Sequence, residues 1–158
     1  MRENKHEDYK IEVHVAGICF RETKNDVEVL IAKRRDNRSI YPGKWECGGG
    51  PIHPGENCEE AVKRQMKDEL GIIIDKVKIF GTYEIITPEL KQKKIPGIKF
   101  ICFWKEYVNG REPQIDPQEF SEWRWQSVGD LYNIDFIKGI DRDIKKGWEF
   151  YDKFKNVL

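Results

Sequence analysis

Glu56, Arg64, Asp68 and Glu69 follow the triple glycine Gly48-Gly49-Gly50 at intervals that set several charged groups on, or just ahead of, one helix. The run Trp45-Glu-Cys-Gly-Gly-Gly-Pro-Ile-His-Pro-Gly-Glu56 leads into a segment that ends Arg64-Gln-Met-Lys-Asp-Glu-Leu-Gly-Ile72. With about 100° of rotation per residue and Cys58 at zero, Val62, Met66 and Leu70 form an apolar stripe that ends at about 120°. On the same wheel Glu69 falls at about 20°, inside the stripe, with Gln65 and Asp68 beside it. A carboxylate against an apolar face is costly unless a cation or donors compensate it, and neighbouring Asp68 adds repulsion. A divalent metal removes both penalties. Hard oxygen donors suit Mg²⁺ or Mn²⁺, which keep several waters and are completed by substrate phosphate oxygens, so a phosphate anhydride is the expected substrate. The glycines let the backbone turn sharply and face a ligand without Cβ interference, with the Gly50 carbonyl offered to the metal. Surface ion pairing of Arg64 with Glu60 and Asp68 explains any one of these acids alone; their joint arrangement favours a site.

These residues need a helix with defined ends. Asn57 and Glu60 make a capping-box pair and Gly71 a C-terminal stop, so the helix is expected from Asn57 to Leu70. Ile11, Val13 and Val15 alternate with polar residues, as do Val27, Val29 and Ile31, which predicts a hairpin turning at Lys24-Asn25-Asp26. Further strands are expected over 73–86, broken once, over 98–108 and over 123–128, giving a mixed sheet. A long loop through Tyr41-Pro42-Gly43 separates the hairpin from the glycines. Ile140, Ile144, Trp148, Tyr151, Phe154 and Leu158 recur at helical spacing and predict an amphipathic helix covering one sheet face.

At Gly50, Glu56, Arg64, Met66, Glu69, Gly71 and Ile72 the sequence resembles the Nudix hydrolase family, whose box reads G-x5-E-x7-R-E-U-x-E-E-x-G-U with U aliphatic. The preceding Tyr41-Pro-Gly-Lys-Trp-Glu46 is also similar to the run before the box in many members. The resemblance implies an α/β fold, an α/β/α sandwich with a mixed sheet between helices. It further implies Mg²⁺- or Mn²⁺-dependent hydrolysis of a nucleoside diphosphate linked to another moiety: a nucleoside triphosphate, nucleotide sugar, ADP-ribose or dinucleoside polyphosphate. The metal donors so implied are the Gly50 carbonyl, Glu56, Asp68 and Glu69, with Arg64 orienting the helix carboxylates. Glu119, in Asp116-Pro-Gln-Glu-Phe-Ser-Glu-Trp-Arg-Trp125, resembles the stretch in which many members supply a further ligand or the base; Glu122 is second choice. Glu69, Arg64 and Glu119 are the expected catalytic set.

Two box positions differ. Asp68 keeps a carboxylate, but Gln65 stands where an acid belongs and can neither take a proton nor neutralise a cation. That departure moves the base outside the box, or leaves a domain that binds a nucleotide as a sensor without hydrolysing it. A third reading is an isopentenyl-diphosphate-isomerase-like enzyme, with Cys47 close to the place where that scaffold carries a reactive cysteine. Lys33 and Arg34, ending a strand, are candidates for phosphate, and Tyr83 and Trp104 for stacking on a base. His14 and His53 have no partner ligand or nucleophile and suggest no site of their own.

The 158 residues suit a single domain spanning 1–158 with a charged tail over 1–8. With 28 basic and 28 acidic residues the formal charge is zero, so no global field points to nucleic acid or an anionic membrane; the expected partner is a small molecule, or an RNA 5′ end at most. Hydrophobic residues at 39% and aromatics at 12% suffice for a packed core and exclude wholesale disorder. Four cysteines without a C-x-x-C pair disfavour structural zinc, and the lack of a long apolar run leads to an expected cytoplasmic protein with reduced thiols.

Overall fold

β1 (His14–Glu22) and β2 (Val27–Arg34) form the expected antiparallel hairpin, Phe20 opposite Val29 and Glu22 opposite Val27. The Thr23 amide donates to the Asp26 carbonyl at 2.8 Å and closes the turn. The computed structural model describes residues 11–86 and 94–157; the charged segment 1–8 and Leu158 lie outside them. β1 starts later than the alternation predicts, because Ile11 is 59% exposed and pairs with no strand.

The remaining elements are β3 (Trp45–Glu46), β4 (Gly49–Pro51), α1 (Cys58–Leu70), β5 (Ile72–Ile85), β6 (Ile95–Tyr107), β7 (Phe120–Ser127) and α2 (Ile140–Phe154). They build a seven-stranded sheet in the order β3-β2-β1-β6-β5, with β4 on β1 and β7 on β2. β1 and β6 run parallel, His14 opposite Gly97 through Phe20 opposite Phe103, and the other pairs are antiparallel, so the sheet is mixed as expected. β5 is one strand rather than two; register shifts at Ile73/Ile74, Ile74/Val77 and Ile79/Gly81 stand where a break was expected.

Each sheet face carries a helix. Val15, Cys19 and Phe100 pack with Val62, Met66 and Leu70 of α1, the stripe read from the sequence. Ile18, Phe20 and Ile101 pack with Ile144 and Tyr151 of α2. Because β1, β2 and β6 are covered on both faces, they carry nearly continuous apolar runs, with Leu30 packed on the α1 side and Val29 and Ile31 on the α2 side. The fold is thus an α/β sandwich. Trp148, expected on the buried face of the last helix, lies at the rim and is 37% exposed. Among the described residues no helix is long and apolar enough to cross a membrane.

Two very short strands, unforeseen because they lie within the glycine-rich run, position the site. β1 and β2 pair only next to their turn, from Phe20–Val29 to Glu22–Val27. Beyond that point β2 takes up β3, with Ala32 opposite Glu46, while β1 takes up β4, with Ala16 opposite Gly49 and Val15 opposite Gly50. The chain from Trp45 to Pro51 therefore bridges a fork in the sheet and feeds α1.

Candidate active site

At its front, α1 is capped as the sequence predicts: the Glu60 amide donates to Asn57 Oδ1 at 2.8 Å and the Asn57 amide to Glu60 Oε2 at 3.4 Å. Just ahead of the cap, Arg64 grips Glu56 with Nε on Oε1 and Nη2 on Oε2, the second contact at 3.0 Å. Arg64 Nη2 also donates to the Pro51 carbonyl at 3.0 Å, and the His53 amide to Glu56 Oε2 at 2.8 Å. These bonds from Arg64, then from His53, hold the Glu56 carboxyl well below the usual range, at about 2. Asp68 stands 4.0 Å from Arg64 and is 61% exposed along its side chain. Arg64 thus joins Glu56 and Asp68.

Gln65 is 5% exposed, and its Nε2 donates to the Pro51 carbonyl at 3.3 Å. The amide lies directly on Gly50, where a Cβ would stand 2.4 Å from Gln65 Nε2. Gly49, at φ 154°, approaches β1 so closely that a Cβ would sit 2.4 Å from the Val15 carbonyl oxygen. The glycine run therefore accommodates two close approaches, one to a strand and one to a buried amide.

At the rear of α1 the situation is reversed. Gly71 ends the helix at φ 65°, and the segment after β6 is stitched to its last turn: the Gln114 amide donates to the Leu70 carbonyl at 2.9 Å and the Asp116 amide to the Glu69 carbonyl at 2.8 Å. Glu119 follows, its amide bonded to the Asp116 carbonyl at 3.0 Å and its carbonyl accepting from the Arg35 amide at 3.1 Å. The Glu119 side chain pairs with Arg38. Half-buried, Glu69 has its carboxyl pushed up to about 7, first by burial and then by neighbouring Glu46 and Asp116; Arg38 and a hydrogen bond from the Gly49 backbone only partly oppose this. The wheel's placement of Glu69 against the apolar arc has its electrostatic counterpart here.

Among the other sequence-selected residues, Arg34 is engaged, its Nη1 on Glu46 Oε2 at 2.9 Å and its Nε on the Ile40 carbonyl at 2.9 Å. Lys33 lies 3.6 Å from Glu122. Tyr83 lies over Gly97, and burial, then Glu46, raises its hydroxyl pKa. Trp104 packs against Tyr107 and, edge-on, Trp125, with ring centroids 5.1 and 6.1 Å away. Cys47 is buried on the α2 side, and burial followed by Glu46 pushes its thiol well above the usual range. The nucleophile needed by an isomerase-like reading is therefore lacking there.

Sequence reading missed Glu46, Asp116 and Arg38, all within electrostatic reach of Glu69. Glu46 and Asp116 lie beside the glycine run and Glu119 but, like Arg38, carry no pairing signal in the sequence. Among the described residues no three His, Cys, Asp or Glu side chains converge as a ready metal cage. The donor chemistry still fits a hard dication of the Mg²⁺ kind, which takes one or two carboxylates and completes its shell with water and phosphate. A half-buried carboxyl raised by desolvation and then by two neighbouring acids is the group that such an ion would relieve.

The NUDIX domain profile matches residues 11–147. The nucleoside triphosphatase NudI of Escherichia coli is 30% identical over 116 residues, which span 71% of this chain and 82% of that protein. Among solved structures, the NUDIX domain of Shewanella oneidensis NrtR complexed with ADP ribose superposes with a TM-score of 0.73 at 15% identity, covering 94% of each chain. A C. elegans Ap4A hydrolase binary complex gives 0.70 at 20% identity, covering 91% of this chain and 100% of the other. At such identities the structural likeness speaks to the fold, and it agrees with the mixed sheet flanked by α1 and α2. With the box residues seated on a capped helix behind a glycine-rich bridge, and a profile match over most of its length, the chain belongs to the Nudix hydrolase family.

Proposed function

We propose that this chain is a Mg²⁺- or Mn²⁺-dependent pyrophosphohydrolase that cleaves the diphosphate linkage of a nucleoside diphosphate joined to another group. Nucleoside triphosphates are the first substrate class to test, in line with the name of the E. coli relatives. The observation that carries the reading is Glu69: a half-buried carboxyl at the end of the box helix, pushed up to about 7 by burial and by the nearby acids Glu46 and Asp116. Glu69, the Gly50 carbonyl, Asp68 and Glu119 would hold the ion. When bound, the ion neutralises charge on the non-bridging phosphate oxygens. Arg64 is a positioning residue; Glu56, with both oxygens already engaged, holds Arg64 and the loop, and reaches an ion only by sharing those oxygens. Glu119 supplies a further donor or takes a proton from water at its carboxylate, a role that Gln65 cannot fill. Lys33 and Arg34 are assigned to phosphate and Tyr83 and Trp104 to the base. The four thiols are free, which suits the proposed cytoplasmic setting.

The test is a screen of nucleoside triphosphates, ADP-ribose, dinucleoside polyphosphates, nucleotide sugars and capped RNA with Mg²⁺ or Mn²⁺, products being weighed to locate the cleaved bond. Metal-dependent cleavage lost in Glu69→Gln supports the reading. Unchanged activity in that variant removes the site. Ligand-induced thermal stabilisation with no product over hours would instead favour a binding domain.

A further inference from the structure

Arg38 lies between β2 and β3, in a segment held by its own turns and by its neighbour rather than by the Arg38 side chain. The Arg38 amide donates to the Arg35 carbonyl at 3.2 Å, the Lys44 amide to the Tyr41 carbonyl at 3.4 Å, and Arg35 Nη1 to the Pro117 carbonyl at 3.0 Å. The Arg38 side chain can therefore move without undoing the loop. It reaches into an acidic neighbourhood: it pairs with Glu119, and Glu46, Glu69 and Asp116 all act on it. Glu46 already has Arg34 at 2.9 Å, so the charges left for Arg38 to balance are those of Glu119, Glu69 and Asp116. Burial, then repulsion from Arg34, work against a guanidinium in this place, and Glu46, Glu69 and Asp116 only partly oppose them.

A guanidinium and a hydrated dication compete for the same carboxylate oxygens. We propose that Arg38 is an exchangeable counter-cation, which holds Glu119 and screens Glu69 and Asp116 in the metal-free protein and is displaced when a divalent ion binds. This rests on the metal reading given above and goes beyond it, since it makes a residue outside the box set the metal affinity. It also gives the metal-free protein a counter-charge for Glu119 and for the field of Glu69 and Asp116 without an ion.

The experiment is a titration of nucleotide-free protein with Mn²⁺, free Mn²⁺ being read by electron paramagnetic resonance, together with thermal melts in chelator and in Mn²⁺. Wild type, Arg38→Met, Arg38→Lys and Glu69→Gln are compared, with Arg38→Gln in place of Arg38→Met if the latter does not fold. The coupling expected is at least about tenfold, within the usual span of competing sites. Arg38→Met binds Mn²⁺ that much more tightly than wild type, melts lower in chelator, and recovers the difference in Mn²⁺. Arg38→Lys, which keeps the charge, stays near wild type. If wild type binds Mn²⁺ and Arg38→Met binds it equally or less tightly, Arg38 is a structural ion pair only and the inference is overturned while the metal site stands. If wild type binds no Mn²⁺, or Glu69→Gln binds it as well as wild type, the metal reading falls and the inference with it.

Discussion

The two ends of α1 handle negative charge in opposite ways. At the front, Glu56 is satisfied by the protein itself, gripped by Arg64 and the His53 amide and held at about 2. At the rear, Glu69 is half-buried, within the field of Glu46 and Asp116, and pushed up to about 7. A satisfied carboxylate builds a scaffold and gains little from a ligand. An unsatisfied one stores unfavourable electrostatics that an incoming cation can release, and strongly shifted groups of this kind concentrate at functional sites. The contrast separates residues that shape the box from those that do its chemistry.

The largest expected effect falls at the rear. Glu69→Gln keeps the shape, removes the charge, and should lower metal-dependent turnover by about 10³-fold, the size of effect seen when one key electrostatic group is lost. Its melting temperature in chelator should not fall, because a neutral amide replaces a carboxyl that burial already disfavours. Glu56→Gln should show the opposite balance, losing thermal stability more clearly than turnover. Steady-state rates and melts of the two variants, side by side, decide the matter; identical profiles would abolish the distinction between the two ends.

The pH dependence of stability follows from the same pair. Between the ordinary carboxyl value of 4.5 and about 7, folded Glu69 keeps a proton that the unfolded chain has lost. Stability of the metal-free protein therefore falls as pH rises through that window, by up to about 3 kcal/mol from this group. Glu56 works in the other direction: its contribution is present above the unfolded value and is lost as pH falls through about 2. Urea melts from pH 3 to 8 in chelator should show the first slope in wild type and its loss in Glu69→Gln. At pH 8, Mg²⁺ at about 100 times its Kd should return about 2.7 kcal/mol. A flat wild-type profile would mean that Glu69 is solvated and has no stored energy to release.

How much of this could be read in the sequence depended on whether the cause was local. Asn57, Glu60 and Gly71 act within one helix, so both ends of α1 were legible, as was the Val62-Met66-Leu70 stripe. The hairpin was legible from two apolar runs on either side of the polar turn Lys24-Asn25-Asp26, although Val29, Leu30 and Ile31 prove buried on both faces. β3 and β4 were not, since two- and three-residue strands made partly of glycine owe their existence to the fork between β1 and β2 rather than to any propensity of their own. For the site, Glu69 stood out by its position in the apolar arc. Its surroundings did not, because Glu46, Asp116 and Arg38 arrive from three separate loops or strands, and the hydrogen bonds that bring Asp116 to the last turn of α1 are backbone bonds without a sequence signature.

Gln65 tests whether the front end has room for another charge. Gln65→Glu restores the acid of the family box, yet it removes the donor to the Pro51 carbonyl and sets a carboxylate on Gly50 at a nearly buried position. The expected cost is about 2 kcal/mol, from setting a charge at a nearly buried position and losing one of the two donors to the Pro51 carbonyl. Urea denaturation would measure it. Equal or greater stability would show that the amide contact is dispensable and that the front tolerates what the rear alone is supposed to carry.

The smallest effect is expected from Asp68→Asn. Asp68 neighbours Glu69 in sequence but points to the other side of the comparison: it is exposed, and its contact with Arg64, at 4.0 Å, is at the limit of an ion pair. Exposed pairs of this kind contribute little, so stability should change by less than about 0.5 kcal/mol. The informative readout is therefore Mn²⁺ affinity set against stability. If the affinity drops while the melt is unchanged, Asp68 joins Glu69 in holding the ion, and the boundary between scaffold and chemistry runs between Arg64 and Asp68. If neither moves, Asp68 is surface decoration, and that boundary narrows to Glu69 and the loops that converge on it.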